Sequence, residues 1–219
     1  MVWTVPEGIW WPELGNHDLL TPVARPRVTT DTALLDAAAA VLARTGSTGF
    51  TLELAGQQAG VSAATLVKRF GSKRGLLIAS SQRWIDSIEP EPDSSRGESP
   101  LATLHRLSVR SYIDHSQPDD AALHVSSLAA DLGDPELTRL LALGWARKRS
   151  QLERLIRRAI DAGELRNAPA PTMAARTLFA LLEGSFLGWT VDPSGPLLSI
   201  LDTEFDNLIA SWTQKEPPQ

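Results

Sequence analysis

Between Ser62 and Arg69 the chain reads Ser-Ala-Ala-Thr-Leu-Val-Lys-Arg, small and hydroxylated side chains leading into two cations. On a helix, at about 100° per residue, Ala64 and Lys68 share one side with Thr65 and Val67 flanking them, while Leu66 and Phe70 pair on the other. The first side offers methyl groups, a hydroxyl and an ammonium to base edges and phosphates in a major groove. Ala64 and Thr65 suit methyl or mixed contacts, and Lys68 suits a phosphate or a guanine. Other chemistries are not written in the chain. Cysteine is absent, so a disulfide scaffold, a thiolate zinc site and a cysteine nucleophile are excluded. There is no Gly-x-Ser-x-Gly, no Walker-type loop and no histidine-rich metal motif, so no catalytic residue is assigned. His105, His115 and His124 lie nine or ten residues apart. Ligands grouped on one helix need i, i+3 or i+4 spacing, so neither a metal nor a cofactor is expected.

A helix carrying such a face needs a partner to hold it. Thr51 can cap a short helix over 51–58, Gly60 supplies the positive φ of a sharp turn, and Ser62 restarts the chain as the next N-cap. This is the outline of a helix-turn-helix. An Ala-Gly-Val-Ser turn also suits a plain helical hairpin in an all-α core, but the capping, the polar face and the Gly71-Ser72-Lys73-Arg74 corner together favour the reading head. Upstream, Leu34, Leu35, Ala38, Val41 and Leu42 recur at helical spacing from a cap at Thr30 or Asp31 to about Thr45, with Gly46 as the stop. Downstream, a fourth helix from Ser72 to about Ile88 begins with Lys73 and Arg74 beside free N–H groups, a physical basis for holding phosphate.

Thr51, the turn Ala59-Gly60-Val61-Ser62, Thr65-Leu66, Phe70, Ser72-Lys73 and Leu76-Leu77 together resemble the DNA-binding domain of the TetR/AcrR family of bacterial transcriptional regulators. The resemblance implies an all-α protein: an N-terminal helix-turn-helix domain and a C-terminal helical domain for ligand binding and dimerisation. It implies DNA contacts from Thr51, Ser62, Ala63, Ala64, Thr65, Val67, Lys68, Arg69 and Lys73, and from the short basic arm at Arg25 and Arg27. The chain departs from the family in three places. Val67 stands where a phosphate-binding tyrosine is usual and Arg69 where histidine is usual, which shifts phosphate anchoring to Lys68 and Arg69. Ala55-Gly56 replaces a usual isoleucine-alanine pair, which costs roughly 1 kcal/mol of helix propensity and predicts a slightly looser head.

Charge is segregated along the chain. The total is −5, which alone argues against a nucleic-acid partner. From Ala24 to Ile88, however, eight basic residues (Arg25, Arg27, Arg44, Lys68, Arg69, Lys73, Arg74, Arg83) face four acids (Asp31, Asp36, Glu53, Asp86). An acidic body with a basic head orients one end toward phosphate. The first 23 residues hold three of the seven tryptophans, Trp3, Trp10 and Trp11, and no Lys or Arg. They lack the basic start and apolar run of a signal peptide. Two readings fit: an aromatic arm docking on the protein, or translation starting near Val23, which a mass measurement of the native N-terminus decides. No run of about 18 uncharged apolar residues exists to span a bilayer, and a cytoplasmic protein without a membrane partner is expected.

The expected organisation is an extension over 1–27, the reading head over 28–88, a polar Pro-rich linker over 89–100 and a helical regulatory domain over 101–219. In that last domain apolar-periodic segments at about 101–116, 119–132, 135–162, 171–190 and 196–213 are separated by Gly and Pro. The last two carry broad apolar faces, including Leu178, Leu182, Phe186 and Trp189 on one and Leu201, Phe205 and Leu208 on the other. By the family resemblance these would form a four-helix bundle in a homodimer; the same faces would equally fill one chain's core. A small-molecule effector would sit between helices, with His105, Tyr112, His124, Trp145 and Phe179 as candidate ligand-binding residues. The basic run Arg147-Lys148-Arg149 with Arg154, Arg157 and Arg158 reads as solvated charge on the longest helix. The function implied is a regulator, most often a repressor, released from a palindromic double-stranded DNA operator by its effector. The alternatives are an all-α enzyme lacking a recognisable motif and a DNA-binding protein without an effector, and the latter is expected to be more basic.

Overall fold

The computed structural model describes residues 30–88 and 97–213, in which nine α-helices and one short 3-10 turn are joined without any strand. The N-terminal extension, with Arg25, Arg27 and the start considered near Val23, lies outside the described residues, as do residues 89–96 of the expected linker.

Four helices form the head: α1 (Asp31–Gly49), α2 (Leu52–Ala59), α3 (Ala63–Phe70) and α4 (Lys73–Ser87). Each begins at a hydroxyl cap. Thr30, Thr51, Ser62 and Ser72 accept from the N–H groups of Ala33, Leu54, Thr65 and Gly75 at 3.0–3.2 Å, satisfying donors that a helix start leaves free. Leu34, Ala38, Val41, Phe50, Ala55, Leu66 and Leu76 make one small core under these caps. Gly46 does interrupt α1, at φ 62° and ψ 177°, but one more helical turn follows and delivers Phe50 to that core.

The turn after α2 is sharp and closely packed. Gly60 takes the left-handed conformation, φ 70°. A Cβ on Gly56 would stand 2.8 Å from the Val61 carbonyl oxygen and 3.1 Å from the Ala63 nitrogen. The slack expected at Gly56 is therefore replaced by direct backbone packing of α2 on the turn that launches α3.

Five helices form the body: α5 (Pro100–Arg110), α6 (Pro118–Leu132), α7 (Pro135–Asp161), α8 (Pro171–Val191) and α9 (Leu197–Thr213). Proline at the first helical position starts four of them, where its missing N–H costs nothing. The helix expected over 101–116 ends at Arg110, followed by the 3-10 turn Ile113–His115. Tyr112 at this break is buried, packs its ring 5.3 Å from that of Phe186 and donates its hydroxyl to Glu183 at 3.0 Å. That anchorage outweighs helix propensity, which is only tenths of a kcal/mol per residue.

The body core contains Leu178, Leu182, Phe186, Trp189, Leu201 and Phe205, each at most 5% exposed, with Leu208 packed against it. The apolar faces assigned to dimerisation are thus used inside one chain. The reason is geometric: α8 and α9 pack on each other and on α5 and α7, so their most apolar sides meet neighbours of the same chain.

Candidate nucleic-acid interface and ligand cavity

Leu66 is completely buried and faces α1 and α4, which turns the opposite side of α3 outward. Ser62, Ala64, Thr65, Val67 and Lys68 are exposed there, Ala63 is half-buried, and Thr51 is exposed at the start of α2. The Ser62 and Thr65 hydroxyls share a hydrogen bond of 3.0 Å while Ser62 also caps the helix, so Thr65 is oriented before any ligand arrives. Val67 is 43% exposed and presents a methyl surface. Lys68 has no ion-pair partner among the described residues, whose ion pairs all involve other cations.

The other cations of the head are largely engaged within the protein. Arg69 is paired with Asp31 in the first turn of α1. Lys73 is turned inward: its ammonium donates to the carbonyls of Ser47 at 3.1 Å and Phe50 at 2.6 Å and lies 5.6 Å from the Phe50 ring centre. This corrects the expectation that Lys73 holds phosphate; a cation beside the open carbonyls at the end of α1 is favourable where it stands. Arg83 binds Asp36 at 2.5 Å and the Thr32 carbonyl at 2.6 Å, and Arg44 binds Gln58 at 3.0 Å. Arg74 reaches across to the body, where Asp134 accepts two bonds from it at 2.5 and 2.9 Å. Asp134 also caps α7 through the N–H groups of Glu136 and Leu137. The Arg74 hydrogen bond, with those backbone donors, holds the Asp134 carboxyl down to about 2.

Head and body meet along α1–α6 and α4–α7. The Ser47 N–H donates to Ser127 at 3.1 Å, and Leu123 lies where a Cβ on Gly46 would be 3.1 Å away. Trp84 of α4 rests on the backbone of α7 at Gly144, with Lys148 capping its ring at 5.7 Å from the centre. Arg147 pairs with Asp86 at 3.5 Å, and the Arg149 guanidinium lies 5.5 Å from the Phe179 ring. Arg147 and Lys148 of the stripe read as solvated charge are therefore part of the head–body contact, and Arg149 packs within the body; Arg157, paired with Glu153 at 2.9 Å, is exposed as expected.

Inside this junction is a cavity of about 570 Å³, within the range that holds drug-sized ligands. Its walls come from both halves of the molecule: Ala39 and Leu42 of α1, Leu77, Ser80 and Trp84 of α4, and residues of α5, α6, α7 and α8. Four of the five residues proposed from the sequence line it: Tyr112, His124, Trp145 and Phe179. His105 does not. It bonds Asp202 of α9 at 2.9 Å and packs edge-on to Phe205, a contact between α5 and α9 away from the cavity.

Of the polar groups on the cavity wall, His115, Lys148, Ser80 and Ser108 were not expected from the sequence. The His115 and His124 rings stack 4.2 Å apart. Burial pushes both down, His124 to about 4, so neither carries charge at neutral pH. Burial also lowers Lys148, which has no carboxylate within ion-pair distance among the described residues. Tyr112 is raised by burial and by Glu183. The Ser80 and Ser108 hydroxyls are buried without a hydrogen-bond partner, and Ser108 is only 6% exposed. Their common signal, a polar residue in an otherwise apolar stripe, is too weak to read without the fold. No group of three or more potential metal ligands occurs among the described residues.

The family model of the bacterial regulatory proteins of the TetR family matches residues 34–79, and that of the BetI-type transcriptional repressor C-terminal domain matches residues 103–208. No curated protein matches. Among solved structures, SmeT, the repressor of the Stenotrophomonas maltophilia multidrug efflux pump SmeDEF, is 26% identical, with 85% of this chain and 92% of that chain covered and a TM-score of 0.61. A putative TetR-family regulator from Rhodococcus sp. is 23% identical, with 84% and 98% covered and a TM-score of 0.65. SmeT in complex with triclosan superposes with a TM-score of 0.59 at 24% identity, covering 86% and 99%. A capped helix-turn-helix with an outward polar face, set on a helical body with a ligand-sized cavity, defines a DNA-binding transcriptional regulator. The chain belongs to the TetR family. Regulators of this family are generally not enzymes, and no helix among the described residues is long and apolar enough to cross a membrane.

Proposed function

We propose that the protein is a homodimeric cytoplasmic repressor that leaves a palindromic double-stranded DNA operator when a small molecule enters the cavity, and that it performs no catalysis. The carrying observation is that α1 and α4 of the head and α5 to α8 of the body share one cavity wall. An occupant that fits one arrangement of these helices better than another shifts the head, and only such differential binding makes a switch. The triclosan complex of SmeT supports a small-molecule ligand for this chain as well.

Operator contacts are assigned to Thr51, Ser62, Ala63, Ala64, Thr65, Val67 and Lys68, with Arg69 contributing once it exchanges Asp31 for phosphate; Arg25 and Arg27 extend the same surface. The dimer is assigned to the outer side of α8, where Met173, Thr177, Ala180, Gly184, Leu187 and Val191 are exposed at helical spacing. Nothing lies within 4 Å of a Cβ placed on Gly184 or Gly188, leaving room for a partner helix to approach closely. A two-fold pair presents two α3 helices to half-sites about 34 Å apart.

Selection of random duplex DNA on the purified protein, followed by sequencing, tests the reading. Enrichment of a palindrome is expected. Lys68→Ala should weaken binding across all sequences and flatten its salt dependence, whereas Thr65→Ala should change preference among sequences by about 1–3 kcal/mol. Unchanged binding by both variants overturns the assignment of α3 to the groove.

A further inference from the structure

The cavity has an electrostatic asymmetry that points to the chemistry of its occupant. Lys148 enters the wall from α7 with its ammonium over the Trp84 ring and no carboxylate in ion-pair reach among the described residues. The carboxylate nearest in effect, Glu183, already accepts the Tyr112 hydroxyl at 3.0 Å. The histidine pair is neutral at neutral pH and supplies ring faces in place of charge. Ser108 on α5 and Ser80 on α4 add two hydroxyls with no partner of their own, Ser108 more than nine-tenths buried. A buried donor without a partner is costly, by an amount that a ligand acceptor recovers. The rest of the wall is mostly aromatic and apolar, with Trp84, Trp145, Phe179 and Leu152, and it also carries Arg110 and the carboxyl groups of Asp114, Asp131 and Glu183, of which burial raises Asp131. A partly buried ammonium that shares the cavity wall with unpaired hydroxyls suits an anionic oxygen acid, and the rings suit an apolar planar body.

We propose that the cavity takes a monoanionic aromatic acid, with its acid group at the Lys148 ammonium and its ring against Trp84 and Trp145. The proposal rests on reading the cavity as the effector site and adds the charge and shape of the effector. Lys148 is a specificity determinant in this scheme, since the same ring without the acid leaves the half-buried ammonium unmatched. Burial lowers Lys148 toward neutrality, and an anion opposes that shift, so acid binding weakens as pH rises through the Lys148 titration.

The test uses the full chain and three probes of one shape: 1-naphthoate, 1-naphthylmethanol and 1-naphthylmethylammonium, each titrated calorimetrically into wild type, Lys148→Met and Lys148→Arg. Naphthoate is expected to bind most tightly to wild type, to lose about tenfold or more in Lys148→Met and to recover much of that loss in Lys148→Arg. The alcohol should bind Lys148→Met at least as well as wild type, which shows that the variant is folded and its cavity intact. Equal binding of all three probes by wild type, or unchanged naphthoate affinity in Lys148→Met, overturns the anion assignment and leaves the cavity as an effector site. Tighter binding of the ammonium probe reverses the assignment in favour of Glu183. Failure of every probe to bind wild type overturns the effector site and the proposal with it.

Discussion

Gly144→Ala is the substitution that most directly probes how the body holds the head. A Cβ at this position would lie 2.0 Å from Cζ3 and 2.3 Å from Cη2 of Trp84, whereas ordinary carbon contacts begin near ~3.5 Å. The indole must therefore retreat by roughly 1.5 Å or change rotamer. Overpacking of this size costs about 1–3 kcal/mol, and replacing a mid-helix glycine by alanine returns about 1 kcal/mol. The expected net change is a loss of about 0–2 kcal/mol, or up to roughly 8 °C in Tm for a chain of this size. The consequence for function should exceed the consequence for stability. Trp84 belongs to α4, and its retreat displaces the helix that carries Arg74 and follows α3. Operator affinity is therefore expected to fall in Gly144→Ala without effector, measured by fluorescence anisotropy on a selected operator alongside a thermal melt. Trp84→Leu in the same chain removes the obstructing ring and should restore part of the affinity, so the two changes are expected to be non-additive. If Gly144→Ala were more stable by the full helix-propensity gain, bound operator as wild type does and added independently to Trp84→Leu, the close approach of α4 and α7 would be refuted.

Three further outcomes are expected. Gly56→Ala brings a Cβ to 2.8 Å from the Val61 carbonyl oxygen, so despite its better helix propensity it should lower Tm and weaken operator binding; a rise in Tm would contradict the packing described at the turn. His124 is pushed from its ordinary value to about 4, so the unfolded chain binds more protons than the folded one between about pH 6.5 and 4. Stability contributed by this residue is complete above that window and declines through it as pH falls, by up to roughly 3 kcal/mol. His124→Gln should flatten the pH dependence of urea unfolding there, and an unaltered profile would remove His124 as its source. Finally, Leu187, 50% exposed on α8, changed to Asp should convert a dimer to monomer in sedimentation analysis while leaving Tm close to that of a concentration-matched monomer; a persistent dimer would move the interface elsewhere.

The head was legible in the sequence because local chemistry dictates it. Thr51, Ser62 and Ser72 are caps wherever they precede helical runs, and Gly60 has one inexpensive role at that turn, so α2, the turn and α3 follow from neighbours a few residues apart. What each cation does was not legible. Lys73 and Arg69 have the same charge as Lys68, but their partners, Phe50 and Asp31, are 23 and 38 residues away. The faces of α8 and α9 were legible as apolar and illegible as to their partner, because amphipathicity fixes that a surface is covered and not by which chain. The same limit applies to the cavity. Tyr112, His124, Trp145 and Phe179 stood out as aromatic, whereas Lys148 looked like one more cation in a basic run until α4 placed Trp84 over it. His115 and His124, nine residues apart on different elements, meet only because the 3-10 turn folds back beside α6.

The shared wall of the cavity also bears on how such proteins exchange parts. Regulators assembled from a reading head and a sensing body invite the idea that the two can be recombined, one choosing the DNA and the other the signal. In this chain Ala39, Leu42, Leu77, Ser80 and Trp84 travel with the head. A chimera that keeps this body and accepts a foreign head would replace the indole beside Lys148 and one of the two unpartnered hydroxyls. Its response to ligands would change along with its operator, and a head taken from here would carry part of this chain's chemical preference into its new host.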